Sequence, residues 1–165
     1  NWKSKGENKM GYFTIELLKP ISPLFFDDKK KSICLLAATS ILKILLPERQ
    51  INKKIYISFE KLIKNFHDKN WIKSYIFWEL SLIKELGFEI NFMTNNSNSK
   101  KKAIEVNNKF YEVPRLLLNN NLKDCLFLDI LEALNFNKIL LMENFIIPYQ
   151  LKIPFSRKIL ESYFT

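Results

Sequence analysis

Glycine is almost missing from this chain: Gly6, Gly11 and Gly87 are the only three among 165 residues. That scarcity excludes both a G-x-G-x-x-G turn and a P-loop, so no glycine-rich phosphate cradle is available. Histidine is scarcer still. His67 is the one side chain whose ordinary pKa lies near neutrality. It stands in a polar His-Asp-Lys-Asn junction with nothing triad-like around it, and reads as an exposed or capping residue. The two cysteines, Cys34 and Cys125, lie far apart within apolar helical patterns and read as core thiols. With one histidine they cannot supply the four closely spaced ligands of a zinc site. Carboxylate pairs such as Asp27 with Asp28, or Glu79 with Glu85, have no metal-binding spacing. No apolar run is long enough to span a bilayer, and Asn1 to Gly11 contains no apolar signal core. We therefore expect a cytoplasmic protein that is not an enzyme and uses no metal or cofactor.

What the chain does have is apolar mass and positive charge. A hydrophobic content of 47% over this length supports one core and one compact domain. The net charge of +9 attracts polyanions or acidic peptides. Four basic clusters carry much of it: Lys29, Lys30 and Lys31; Arg49 with Lys53 and Lys54; Lys100, Lys101 and Lys102; and Arg157 with Lys158. Converging, they would form a phosphate-tracking or acidic-partner surface with steep salt dependence; separately, each is a solvated face.

The stretch from Trp71 to Phe88 reads as a central helix with two residues on unexpected faces. At about 100° per residue, Trp71, Ile72, Tyr75, Ile76, Trp78, Leu80, Leu82, Ile83 and Leu86 cover most of the circumference. Phe77 falls instead into the narrow polar strip and is a candidate exposed aromatic for base stacking. Glu79 falls at the centre of the apolar face, where an unpaired charge is strongly disfavoured. Arg49, in the preceding loop, is the expected ion-pair partner.

The remaining elements follow from periodicity and punctuation. Tyr12 to Leu18 alternates as a strand ended by Pro20. Asp28 caps a helix from about Lys29 to Leu46 that Pro47 stops, and a second helix runs from about Lys54 to Phe66. Asp68 or Asn70 caps the central helix and Gly87 ends it. Phe88 to Met93 is extended and precedes a polar loop, TNNSNSKKK. AIEV-NN-KFYEV is a β-hairpin turning at Asn107-Asn108, because asparagine tolerates positive φ. Beyond Pro114 helices are expected at roughly 122–134, 138–146 and 155–164. The apolar segment KILLMENFIIPYQLKIPF is too evenly apolar for a one-sided interfacial helix, and Pro148 and Pro154 interrupt it.

Three of these segments in order, Leu46-Pro47-Glu48-Arg49, KIYISFEKLI and W-x3-Y-x2-W-E-L-x-L-x3-L-G-F, resemble the helical part of the RecO family of bacterial recombination mediators. The resemblance covers roughly Tyr12 to Phe92. Gly11 to Lys19 looks like the last strand of that family's N-terminal OB-fold, and LKIPFSRKILESYF more weakly like its closing helix; residues 93–121 do not match well. Where many relatives carry Cys-x2-Cys, this chain has Met93-Thr94-Asn95-Asn96, so the family's zinc module is expected to be absent or replaced, with the hairpin as its remnant. The chain lacks an initiator Met and opens inside the apparent OB-fold, so we expect a fragment: residues 1–20 ending a truncated OB-fold, and 21–165 a RecO-like helical domain with an insert at about 88–114. The resulting fold class is mainly α, with a residual OB-fold strand and a small β-hairpin. The resemblance implies non-catalytic binding of single- and double-stranded DNA and strand annealing. It further implies recognition of the acidic C-terminal tail of single-stranded DNA-binding protein, and RecA loading with RecR. The competing expectation is a helical protein-interaction domain whose positive charge is incidental; DNA affinity measured against salt separates the two.

Overall fold

In the computed structural model, residues 2–3, 6, 11–14, 16, 20–88, 93–94, 102–118 and 126–165 are described. Six helices carry the fold among them: α1 (Lys29–Leu45), α2 (Lys53–Asn65), α3 (Trp71–Glu85), α4 (Arg115–Leu118), α5 (Phe127–Leu141) and α6 (Phe155–Ser162). Strands are short: β1 (Trp2–Lys3), β2 (Tyr12–Phe13), β3 (Met93–Thr94), β4 (Lys102–Val106) and β5 (Lys109–Glu112). The architecture is mainly α, as the periodicity predicts.

Local chemistry sets these boundaries. Asp28 caps α1, its Oδ1 accepting from the Lys31 amide at 3.1 Å, and Pro47 follows the extended C-cap at Leu46. Gly87 takes φ 100° after α3, a left-handed conformation that glycine adopts without a Cβ penalty. Asn70 stands at the N-cap of α3 without a side-chain cap bond. In the hairpin, Asn107 and Asn108 both have positive φ (50° and 63°), and Val106 pairs with Lys109 across them. The sequence expectation of a strand from Tyr12 to Leu18 reduces, within the described residues, to Tyr12–Phe13 paired antiparallel with β1. Most of the expected 88–93 extension and the polar loop lie outside the described residues.

The two helices expected at 122–134 and 138–146 are one. α5 runs unbroken through Asn135-Phe136-Asn137 and continues as a π-helical turn, Met142–Ile146. Asn137 is fully buried, and its amide donates to the Ile76 carbonyl at 2.8 Å, joining α5 to α3. Polarity at this point stitches two helices together where a break was expected.

α3 lies at the centre, packed against α2 on one side and α5 on another, while α1 packs chiefly on α6. α1 and α6 run antiparallel: Ser156 Oγ lies 3.4 Å from Ser40 Oγ, and Tyr163 lies near Lys30 at the other end. The core gathers Cys34, Ala37, Ala38, Ile41, Leu62, Phe66, Tyr75, Ile76, Leu82, Ile83, Ala133, Leu134, Leu140 and Leu160, each no more than 2% exposed. Burying a leucine or isoleucine side chain contributes roughly 1.5–3 kcal/mol. No described helix is long and apolar enough to cross a membrane.

Candidate functional site

The buried carboxylate on α3 has a different partner from the one the sequence pointed to. Glu79 is fully buried, and so is Arg157 of α6: Arg157 Nε donates to Glu79 Oε1 at 2.7 Å and Nη2 to Oε2 at 3.1 Å. Nη2 also donates to the Leu134 carbonyl at 2.8 Å, and Tyr75 Oη donates to Glu79 Oε1 at 2.9 Å. The guanidinium lies 5.9 Å from the Tyr75 ring centroid. Arg49 instead lies on an exposed turn with φ 61°, beyond the end of α1. Its loop runs over the surface, whereas α6 packs on α1 and α5 with Arg157 on its buried face.

Burial alone would lower the Arg157 pKa, but the Glu79 carboxylate outweighs it and holds the guanidinium above its ordinary range. Burial, reinforced by the same carboxylate, pushes the Tyr75 phenol and the Cys34 thiol well up. The network is thus a fixed ion pair ringed by neutral groups, and it is structural. Arg157, expected among the residues that bind nucleic acid or an acidic partner, has no access to either.

The other basic clusters are partly spent on internal contacts. Lys31 lies 3.4 Å from Asp28, and Lys54 lies 3.5 Å from Glu85. Lys30 Nζ sits between the rings of Phe127, Tyr163 and Phe164, at 5.8, 5.8 and 5.4 Å from their centroids. Such cation–π contacts are worth about 0.5–1 kcal/mol each at exposed sites. Lys29, Arg49, Lys53, Lys54, Lys102 and Lys158 are exposed. Lys100 and Lys101 lie outside the described residues, as does Cys125. Phe77 is half-buried and packs against the core instead of standing fully exposed. His67 is exposed, with its ring 5.7 Å from that of Phe25.

An accessible apolar feature lies between α1 and α2, which pack on α6 and α3 and leave a furrow between themselves. A groove of about 440 Å³ opens there, lined by Leu35, Leu36 and Thr39 of α1, Phe59 and Ile63 of α2, and Phe26, which follows the 3-10 turn Ser22–Phe25. Phe26 is 70% exposed and Leu36 53%, so the apolar lining reaches solvent. Phe59 also lines a second hollow with Leu42, Leu46, Ile55 and Tyr56, which extends the furrow along α1. On the helical wheel the exposed Lys29 and Lys43 flank the groove-lining stripe of α1 at either end, about 21 Å apart at 1.5 Å per residue. Lys43 lies outside the four basic clusters of the sequence; the heptad spacing Lys29–Leu36–Lys43 is the signal that identifies it. The arrangement can hold an extended segment with an apolar anchor and acidic flanks.

Among the described residues no group of three or more histidine, cysteine or acidic side chains is placed to hold a metal.

Comparison with known proteins matches residues 27–101 to the family described as Recombination protein O C terminal. The chain is 34% identical over 102 residues to the DNA repair protein RecO of Ehrlichia chaffeensis, covering 59% of this chain and 42% of that protein. It is 28% identical over 145 residues to the DNA repair protein RecO of the Wolbachia of Drosophila simulans, covering 74% and 60% respectively. A third relative, the DNA repair protein RecO of Roseobacter denitrificans, is 26% identical over 90 residues. The chain therefore spans roughly half the length of the curated relatives it matches. No solved structure matches it significantly.

Proposed function

Because this chain belongs to the RecO family, we propose that it serves DNA repair and recombination as a non-catalytic mediator. Its helical domain would hold the acidic, hydrophobic-ended tail of single-stranded DNA-binding protein. The observation that carries the reading is the α1–α2 groove, apolar along its floor and flanked by Lys29 and Lys43. An acidic peptide with a terminal apolar residue needs a slot for the side chain and cations at its sides. Residues 21–165 would form this partner-binding unit, with residues 1–20 the end of an OB-fold. Contact with single- and double-stranded DNA, strand annealing, and RecA loading together with RecR complete the proposed role. No membrane association is part of it.

Fluorescence anisotropy with a tail peptide in native and scrambled order tests the assignment. Native order should bind more tightly, because scrambling keeps the Coulomb attraction while removing the anchor from the slot. Equal affinities would reduce the interaction to nonspecific charge and remove the groove from the function.

One observation favours the interaction-domain reading without DNA contact: Lys31 pairs with Asp28, Lys30 lies over three rings, and Arg157 is buried. Single-stranded DNA affinity against salt decides between the two. A mediator that tracks phosphates with several lysines should give a log–log slope near −0.7 per phosphate contact, and a flat response would leave only the protein partner.

A further inference from the structure

The segment that joins the π-helical turn to α6 carries aromatic rings into solvent. Gln150, at φ 53°, ends the turn, and the Leu151 amide donates back to the Ile146 carbonyl at 2.8 Å, a left-handed cap of the kind that closes helices. A short irregular stretch then leads to Pro154, the N-cap of α6. Ile146, Ser156 and Arg157 are buried and Leu151, Ile153 and Pro154 half-buried, so the backbone is anchored at both ends. Yet Tyr149 is 69% exposed and Phe155 75%, and Lys152 and Lys158 are exposed as well. Aromatic and cation thus alternate at every third position. Phe155 and Lys158, at i and i+3, share the outer face of α6; Tyr149 lies within about 21 Å of Phe155 even along a fully extended chain.

The charges around this row favour an anion. Glu143 and Glu161 are the acidic residues between Met142 and Thr165, and both are occupied. Glu143 holds Asn107 at 3.0 Å and Lys109 at 3.8 Å, and Glu161 holds Lys138 at 3.0 Å and Arg157 at 3.7 Å. α1, on which α6 packs, contains Lys29, Lys30, Lys31 and Lys43 and no acidic residue, and the exposed Glu48 beyond it is followed by Arg49. On α5, Asp129 accepts from the Leu126 amide at 3.0 Å and Glu132 lines the hollow beside β5.

We propose that Tyr149, Lys152, Phe155 and Lys158 form a stacking platform for a single-stranded nucleic acid, with bases on the two rings and phosphates against the two lysines. An exposed ring offers a flat apolar face that every base can cover, and a neighbouring cation tracks the backbone, so the two residue types together select a ligand that is both planar and anionic. The inference rests on the proposed role in DNA repair, which makes DNA the strand, and it adds a place and a preference. A duplex keeps its base faces stacked on one another and offers this row phosphates only.

The probes are a labelled oligo-dT of about 12 nucleotides, within the usual site sizes, and an abasic strand of equal length and charge, each titrated against the whole chain by fluorescence anisotropy. The oligo-dT should bind more tightly than the abasic strand. Phe155→Ala and Tyr149→Ala should each weaken oligo-dT at least about fivefold, the loss expected for one stacked base, and leave the abasic strand unchanged. Phe155→Trp and Tyr149→Phe keep a ring and should bind as the parent does. Lys152→Gln and Lys158→Gln should each make the log–log salt slope shallower by about 0.7. Parental oligo-dT affinity in both alanine variants overturns the platform while the DNA role stands. Failure of the parent to bind either strand overturns that role, and the platform with it. An equal loss on both strands reduces the row to charge and overturns the stacking. Phe155-dependent sedimentation with phosphatidylglycerol vesicles, with no effect of Phe155→Ala on oligo-dT, overturns it too and assigns the row to a lipid surface.

Discussion

At the residue scale the fold turns on Glu79 and Arg157. Removing one partner of a buried pair leaves an uncompensated charge and costs about 3–5 kcal/mol. Arg157→Ala should therefore lower the melting temperature far more than Arg49→Ala, whose side chain is exposed; equal melting temperatures would contradict the network. Tyr75→Phe removes one donor to Glu79 and should cost about 1–3 kcal/mol by chemical denaturation. A pH dependence follows from the same contacts. The Tyr75 phenol and Cys34 thiol titrate above their ordinary values of 10.0 and 9.0 when folded. In the alkaline range the unfolded chain loses these protons first, so it binds fewer protons than the native state and stability falls as pH rises. Melting temperature should be insensitive to these two groups below pH 9 and decline above it, with a shallower decline in Tyr75→Phe. Burial of Glu79 was legible from helix periodicity, but its partner was not. Arg157 sits in a Ser-Arg-Lys run that resembles a surface cluster, and the signal that identifies it is its i, i+3 spacing with Leu160 on the buried face of α6, with buried Phe164 just beyond the helix end.

At the element scale, turns and caps were the most legible features and helix junctions the least. The hairpin was readable because two consecutive asparagines between strand-forming runs leave few alternatives, and both adopt left-handed backbone. A β-branched residue there meets a steric cost of roughly 1–2 kcal/mol. Asn108→Val should thus destabilise the protein by about that amount in thermal or chemical melts. Asn107 anchors the turn further, its amide donating to Glu143 Oε2 at 3.0 Å in the π-helical turn. Replacement of Asn107 consequently loosens the hairpin from α5 as well as straining the turn. The join between the two expected C-terminal helices was not legible, because a buried asparagine and a solvated one look alike in sequence. What distinguishes Asn137 is a carbonyl 61 positions away.

For the whole molecule, the question is where a net charge of +9 acts. Charge counted along the chain overstates the available surface, since Arg157 is buried and Lys30 is half-buried over three rings. The apolar groove between α1 and α2 was not readable, because it arises from two helices that pack on different neighbours and leave a gap. Its charge is local, on Lys29 and Lys43, which gives a sharp expectation. Lys29→Glu/Lys43→Glu should weaken an acidic tail peptide strongly at low salt, while Lys102→Glu/Lys158→Glu, an equal change in net charge at exposed residues that line neither hollow, should weaken it much less. The difference should shrink with added salt, as the Debye length falls from about 10 Å at 0.1 M to about 3 Å at 1 M. Exposed lysines contribute little to folding, so the melting curves of both variants should stay close to the parent. Anisotropy titrations at the two salt concentrations check this directly. If both double variants lose affinity equally, binding responds to total charge, and Lys29 and Lys43 hold no special place beside the groove.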